Sequence, residues 1–347
     1  MNAKGKKKRK DLFILLIVVI LLGILVPIPY YIEGPGSAVQ LNELVKVNNK
    51  TDQEAGHFML TTVAIRRATP LTYFMRYLPF HEGLTKEELY GTGTSDAEYT
   101  NLQHYYMTSS INSAIELAYD AAEESYQLSY NGVYIMSILE GSDFDDKLEV
   151  GDTILSLDGQ TFASSAEFID YVQQQSIDQK IEVAYERDGK KHTTSGKLME
   201  MPETKKAGLG ISLVDNTSIE TDIPVAIDAG EIGGPSAGFM FALQIYTQLT
   251  GEDLRDGHEI AGTGTIAPDG TIGRIGGIDK KVVAASKEGA SIFFAPDDTI
   301  DPVIQANYPD MTSNYQEALK AAKKIDTKMK IVPVKTFQDA IDYLEGL

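Results

Sequence analysis

The sequence predicts an α/β (α+β) fold split by an inserted β-rich module, behind one N-terminal transmembrane helix. Three features of the 347 residues point there. Beyond residue 205, strand-like and helix-like patterns alternate, as expected for helices packed on a sheet. Between residues 125 and 200, short β-prone runs are separated by turn residues, with one helical stretch among them. From Leu12 to Val26 no residue has a polar side chain.

Composition narrows the field. A chain of this length suits roughly two domains, and 43% hydrophobic residues can build sizeable cores. There is no cysteine, so disulfides, thiolate catalysis and Cys-ligated zinc are excluded. The net charge is −19. The first ten residues hold six Lys or Arg, which leaves 25 basic against 50 acidic side chains, or −25, over the rest. So acidic a body repels nucleic acid and anionic lipid, and no nucleic-acid partner is expected.

The N-terminus reads as a cytoplasmic basic tail (1–11) followed by a transmembrane anchor (12–32). About 20 apolar residues suffice for one crossing, and Tyr30-Tyr31 sits where an interfacial aromatic belt would lie. Basic residues before the span place the N-terminus inside and the acidic body outside the cell. A cleaved signal peptide is the competing reading, with Gly36-Ser37-Ala38 as a weak cleavage site.

Between residues 34 and 78 the pattern is mostly β, with runs at 38–41, 44–47 and 57–65. Residues 79–100 read as a polar loop, and Asn101–Glu123 as a helix with Met107, Ile111, Ala114, Ile115, Ala118 and Ala122 on one stripe. In the β-rich stretch the runs are 133–138, 153–157 and 181–185, with tight turns at Asp158-Gly159 and Asp188-Gly189 and a helix over 165–175. After residue 205 the expected strands are 223–227, 259–266, 271–275, 291–295 and 330–334. The expected helices are 237–249, 278–288, 313–324 and 336–345.

Gly233-Gly234-Pro235-Ser236-Ala237-Gly238 joins the first of those strands to the first of those helices. A serine at such a bend has an exposed hydroxyl, and free amide N–H groups of the helix N-terminus behind it can bind an oxyanion. The bland alternative is a glycine-rich turn with a capping serine. A nucleophilic serine also needs a base. The histidines are His57, His81, His104, His192 and His258. Only His258 follows Ser236, too soon for the Ser, acid, His order of an α/β-hydrolase. A neutral lysine is the other solution, and burial among apolar groups produces one. In Gly276-Gly277-Ile278-Asp279-Lys280-Lys281-Val282-Val283, helical spacing puts Lys281 on the apolar face, with Lys280 and Asp279 outward. A snorkelling surface lysine is the alternative there.

Two resemblances join these features. Asn131-Gly132-Val133-Tyr134-Ile-Met-Ser-Ile138 with Val150-Gly151-Asp152-Thr153-Ile154 and Asp158-Gly159 resembles a PDZ domain of the bacterial protease type. That implies peptide binding by strand addition, with Asn131, Gly132, Val133 and Tyr134 as the carboxylate-binding loop. G-P-S-A-G followed 45 residues later by a lysine in G-G-I-D-K-K, with T-G-T-I between, resembles the proteolytic domain of Lon-type serine proteases. Carried over, Ser236 is the nucleophile, Lys281 the base, and Thr263 a threonine supporting the lysine, with Gly234 and Pro235 shaping the turn. The helix opening at Met107 resembles the Lon helix that precedes the catalytic strand. These resemblances imply a protease domain over 34–122 and 206–347 with a PDZ domain inserted at 125–204. Gly233 and Thr265 stand where Lon proteases usually carry acidic residues, and no G-x-x-x-x-G-K-[ST] ATPase loop occurs. Anchor, PDZ and Lon-like domain together resemble the YlbL/SepM-type membrane proteases of Gram-positive bacteria. That implies an ATP-independent endopeptidase without metal or cofactor, acting outside the cytoplasm on peptides, such as secreted pheromones, or on unfolded segments. It also implies a homo-oligomer, because Lon-type domains often form rings. A non-catalytic PDZ adaptor on a protease-like scaffold is the rival.

Overall fold

The computed structural model describes residues 3–91 and 93–347. An N-terminal helix, α1 (Ala3–Leu25), leads into strands β1 (Tyr30–Gln40), β2 (Val45–Val47), β3 (His57–Arg67) and β4 (Glu82–Thr85). The long helix α2 (Asp96–Ala121) follows, opened by a capping box between Ser95 and Glu98. A five-stranded antiparallel sheet is built from β5 (Tyr126–Ile138), β6 (Thr153–Leu157), β7 (Lys180–Arg187), β8 (Lys190–Lys197) and β9 (Ile211–Thr221), in the order β9-β5-β6-β7-β8. Helix α3 (Ser165–Gln173) covers it. The chain continues through β10 (Val225–Ile227), α4 (Gly238–Thr250), β11 (Glu259–Gly262) and the hairpin β12 (Thr265–Ile266) and β13 (Ile272–Gly273). It ends with α5 (Ile278–Lys287), β14 (Ile292–Pro296), α6 (Asn314–Lys324), β15 (Lys330–Val334) and α7 (Phe337–Glu345).

Strands from both sides of the β-rich unit form one six-stranded sheet, in the order β15-β14-β11-β3-β1-β4. The strands from β15 to β3 are parallel, whereas β1 runs antiparallel to its neighbours β3 and β4. Alternate residues of β3 and β14 serve opposite faces. Phe58, Leu60 and Phe294 join a core with α2, α4 and α7, while Met59 and Phe293 join a second core with α5 and α6. Helix α4 is apolar nearly all round and correspondingly buried from Gly238 to Ile245.

Several expectations are corrected. The segment 12–32 is not one transmembrane helix. Helix α1 ends at Leu25 because Pro27 and Pro29 cannot donate the hydrogen bonds a helix needs. Tyr31 and Ile32 belong to β1 and are 6% and 5% exposed, inside the protein rather than in an interfacial belt. Leu12–Leu25 spans about 21 Å at 1.5 Å per residue, short of a hydrocarbon core of about 30 Å. Among the described residues, no helix is long and apolar enough to cross a membrane. The stretch read as a loop over 79–100 contains β4, a strand made by pairing with the edge of β1 rather than by its own pattern. One strand pairing crosses the 204–206 boundary: β9, which follows it and was not expected as a strand, pairs with β5 from end to end.

Candidate active site

Helix α2 builds the serine turn from outside. Gly234 adopts φ +87°, open to glycine, and its N–H donates to the Gln103 carbonyl over 3.0 Å. Ser110 Oγ donates to the Pro235 carbonyl over 2.9 Å. From the other side, the Ser236 carbonyl accepts the Gly264 N–H (2.9 Å) and the Thr263 hydroxyl (3.0 Å). The backbone is thereby fixed on both flanks. Among the described residues, neither the Ser236 nor the Ala237 N–H has a partner, and both lie at the N-terminus of α4. Two free donors at a helix N-terminus are suited to an oxyanion.

Lys281 reaches this turn from α5, on the opposite face of the sheet. Its Nζ lies 2.7 Å from Ser236 Oγ and 2.9 Å from Thr263 Oγ1. Lys281 is 3% exposed. Burial, which disfavours the charged amine, lowers its pKa to about 7, while the Glu33 carboxylate pulls weakly the other way. The Thr263 hydroxyl hydrogen is committed to the Ser236 carbonyl, so Thr263 faces the amine as an acceptor. A neutral amine that gives one hydrogen to Thr263 keeps its lone pair for the serine hydroxyl.

Both side chains line a cleft of about 970 Å³ at the carboxyl ends of the parallel strands, bounded by Thr61–Val63 of β3, Tyr99 and His104 of α2, and Arg274. Among the described residues, Ser236 Oγ hydrogen-bonds to Lys281 and to no histidine. His104 shares the cleft without such a bond, His57 pairs with Glu259 at 2.8 Å, and His258 lies beside Ser291. Among the same residues, no group of three or more His, Asp or Glu side chains is arranged to hold a metal ion.

Lys280 does not point outward as expected. It is 6% exposed, with Nζ 2.6 Å from Glu82 and 3.8 Å from Glu33, and these carboxylates hold its pKa above the usual lysine value despite burial. Two adjacent lysines thus carry opposite shifts, because carboxylates surround one and apolar groups and hydroxyls the other.

The family comparisons agree with the two units. Residues 202–344 match the Lon protease (S16) C-terminal proteolytic domain, and residues 124–198 match a PDZ domain. The chain carries a Lon-type proteolytic domain and a PDZ domain. Curated relatives include the Lon protease of Acinetobacter baumannii, 33% identical over 42% of this chain and 19% of that protein. The Lon protease of Desulforamulus reducens is 34% identical over 34% of this chain and 16% of its own. A peroxisomal Lon protease homolog 2 of Caenorhabditis briggsae is 33% identical over 35% and 14%. The chain therefore spans about a fifth or less of the length of these relatives. Among solved structures, the PDZ domain of an SdrC-like protein from Listeria monocytogenes is 34% identical, covering 25% of this chain and 93% of its own with a TM-score of 0.25.

In this Lon-type domain Gly233 has a structural cause. A Cβ there would stand 2.8 Å from Gln103 Cβ, so any side chain would push α2 away from the serine turn. The expected carboxylate-binding loop is corrected. Asn131, Gly132, Val133 and Tyr134 lie inside β5, with β9 paired on one side and, at Val133 and Tyr134, β6 on the other. Tyr134 also stacks on Tyr105 of α2 with ring centroids 4.2 Å apart. A doubly paired strand has no free edge for a peptide. Among the described residues, the sheet's outer strands are β9 and β8, and β9 runs beside α3.

Sequence reasoning missed Gln103, Ser110, Glu33 and Glu82. Ser110 interrupts the apolar stripe of α2 on a buried face, and that was the one signal available. The carboxylates gave none, since they lie about 200 and 250 residues from the lysine in sequence and meet it only through β1 and β4.

Proposed function

We propose that this chain is a serine endopeptidase working without ATP, with Ser236 as nucleophile and Lys281 as general base. The observation that carries the reading is a buried amine with a pKa near 7 lying 2.7 Å from a serine hydroxyl. The neutral amine accepts the hydroxyl proton as Oγ attacks the peptide carbonyl. The Ser236 and Ala237 N–H groups hold the oxyanion. The ammonium then protonates the leaving amine, and the amine so regenerated activates water to hydrolyse the acyl-enzyme. Thr263 keeps the lysine aimed throughout.

The open cleft suits extended peptides and unfolded segments. The PDZ domain supplies a second peptide contact, by strand addition at the outer edge of β9 rather than at residues 131–134. The exposed apolar surface of α1, from Leu12 to Leu25 behind a run of six basic residues, holds the protein on a membrane.

The test is incubation of the full chain with an unstructured peptide mixture and mass spectrometry of the products. Ser236→Ala and Lys281→Met abolish cleavage in this reading. Peptide binding with no cleavage by the intact chain, and no labelling of Ser236 by a serine-reactive probe, would establish the adaptor instead.

A further inference from the structure

The stretch that follows β3 is unlike the rest of the surface. Leu71, Phe74, Tyr77 and Leu78 are 57%, 65%, 70% and 50% exposed on and beside a short helical turn over Thr72–Tyr77. Residues 66–80 contain three arginines and no carboxylate, in a chain whose acidic residues outnumber its basic ones by 50 to 31. Arg66 and Arg67 are exposed, and Arg76 lies over the rings of Tyr73 and Tyr77 at 4.0 and 4.7 Å. Such a patch would be a liability facing water.

The patch is fastened to the end of α1. The Leu71 N–H donates to the Gly23 carbonyl over 3.0 Å, the Ile28 N–H to Ala68 over 2.8 Å, and the Ala68 N–H to Tyr30 over 2.7 Å. The rings of Tyr30 and Tyr73 pack with centroids 4.8 Å apart. The exposed apolar surface of α1, from Leu12 to Leu25, therefore continues into Leu71, Phe74 and Tyr77.

We propose that residues 66–78 are a second membrane contact, an aromatic and cationic foot that seats the body on an anionic lipid surface. This rests on the reading that α1 contacts lipid. Aromatic side chains favour the headgroup region and arginines favour anionic headgroups, so both halves of the patch suit one partner. Strand β3 runs from the cleft at Val63 to Arg67 at the patch, about 14 Å of extended chain. The foot thus holds the catalytic cleft close to the bilayer, where peptides emerging from or lying on the membrane pass.

The chain has no tryptophan, so Phe74→Trp places a single fluorophore in the foot. Ile177→Trp, in the five-stranded unit, is the control. Each full-length variant is mixed with vesicles of brominated phosphatidylcholine, with or without phosphatidylglycerol, while co-sedimentation reports binding separately. The foot predicts quenching and a blue shift for Phe74→Trp on anionic vesicles, several-fold weaker on neutral ones or after Arg66→Glu with Arg67→Glu, and none for Ile177→Trp. Co-sedimentation without quenching at position 74 would overturn the foot and leave the lipid contact of α1 standing. Equal quenching on neutral vesicles would overturn its anionic preference. A blue shift that grows with protein concentration before vesicles are added would assign the patch to a second copy of the chain. Absence of co-sedimentation would defeat the foot and the membrane reading together.

Discussion

The proposed role of Lys281 as base needs a neutral amine near pH 7, and its burial lowers its pKa to about 7. The same burial carries a cost in stability. A lysine whose pKa falls from 10.5 unfolded to about 7 folded binds fewer protons when folded between those values. The native state is therefore penalised in full below pH 7, and the penalty fades as pH rises toward 10.5. Lys281→Met removes it. The variant is expected to gain up to about 5 kcal/mol in denaturant melts at pH 6, and almost nothing near pH 10.5. Thr263→Val removes one hydrogen bond from the amine. It should lower kcat roughly tenfold, about 1.4 kcal/mol, with KM little changed. Lys280→Ala leaves Glu33 half-buried without its cation. The variant should lose about 1–3 kcal/mol of stability but keep its chemistry once folded, read by melts beside peptide cleavage. The contrast between the two lysines marks what the sequence could tell. Helical spacing gave the apolar face of Lys281. It could not give Lys280 its inward orientation, because the carboxylates that draw it in arrive on β1 and β4 from the far end of the chain.

At the scale of elements, the site is held by the ends of helices and strands. Gly277 begins α5 with φ +65°, and a Cβ there would meet Val63 Cγ1 at 2.7 Å and Glu33 Oε1 at 2.9 Å. Gly277→Ala should shift α5 away from β3, lowering kcat at least tenfold and the melting temperature by several degrees, checked by kinetics and calorimetry. Periodicity placed the helices well, since their apolar faces match the cores they fill. It failed where a strand is interrupted for the site. Residues 259–266 read as one strand, yet pairing stops at Gly262. There the Gly264 N–H turns to the Ser236 carbonyl, and its carbonyl accepts the Phe239 N–H. Those groups hold the Ser236 turn instead of a neighbouring strand, and local pattern carries no trace of such long-range pairing. Tyr31 and Ile32 misled for the opposite reason. They are apolar because they fill a core, not because they meet lipid.

At the scale of the molecule, the proteolytic unit is assembled from two distant pieces. Strand β3 lies between β11 and β1, and its Phe58, Met59 and Leu60 are buried. Residues 206–347 alone would expose one edge of β11 and both cores. That fragment should be insoluble or molten by circular dichroism and inactive on peptides, with co-expression of residues 30–122 restoring some soluble protein. The two-unit organisation was legible because motifs for each unit survive in the sequence. The outer position of β9 was not, because which strand lies outermost in a sheet depends on pairing that the sequence order conceals. The most direct measurement of the central claim is the rate at which a fluorophosphonate labels Ser236 between pH 5 and 9. The rate should climb with a midpoint near pH 7 and collapse in Lys281→Met. Labelling that ignores pH, or that survives the loss of Lys281, would contradict a neutral lysine as the base.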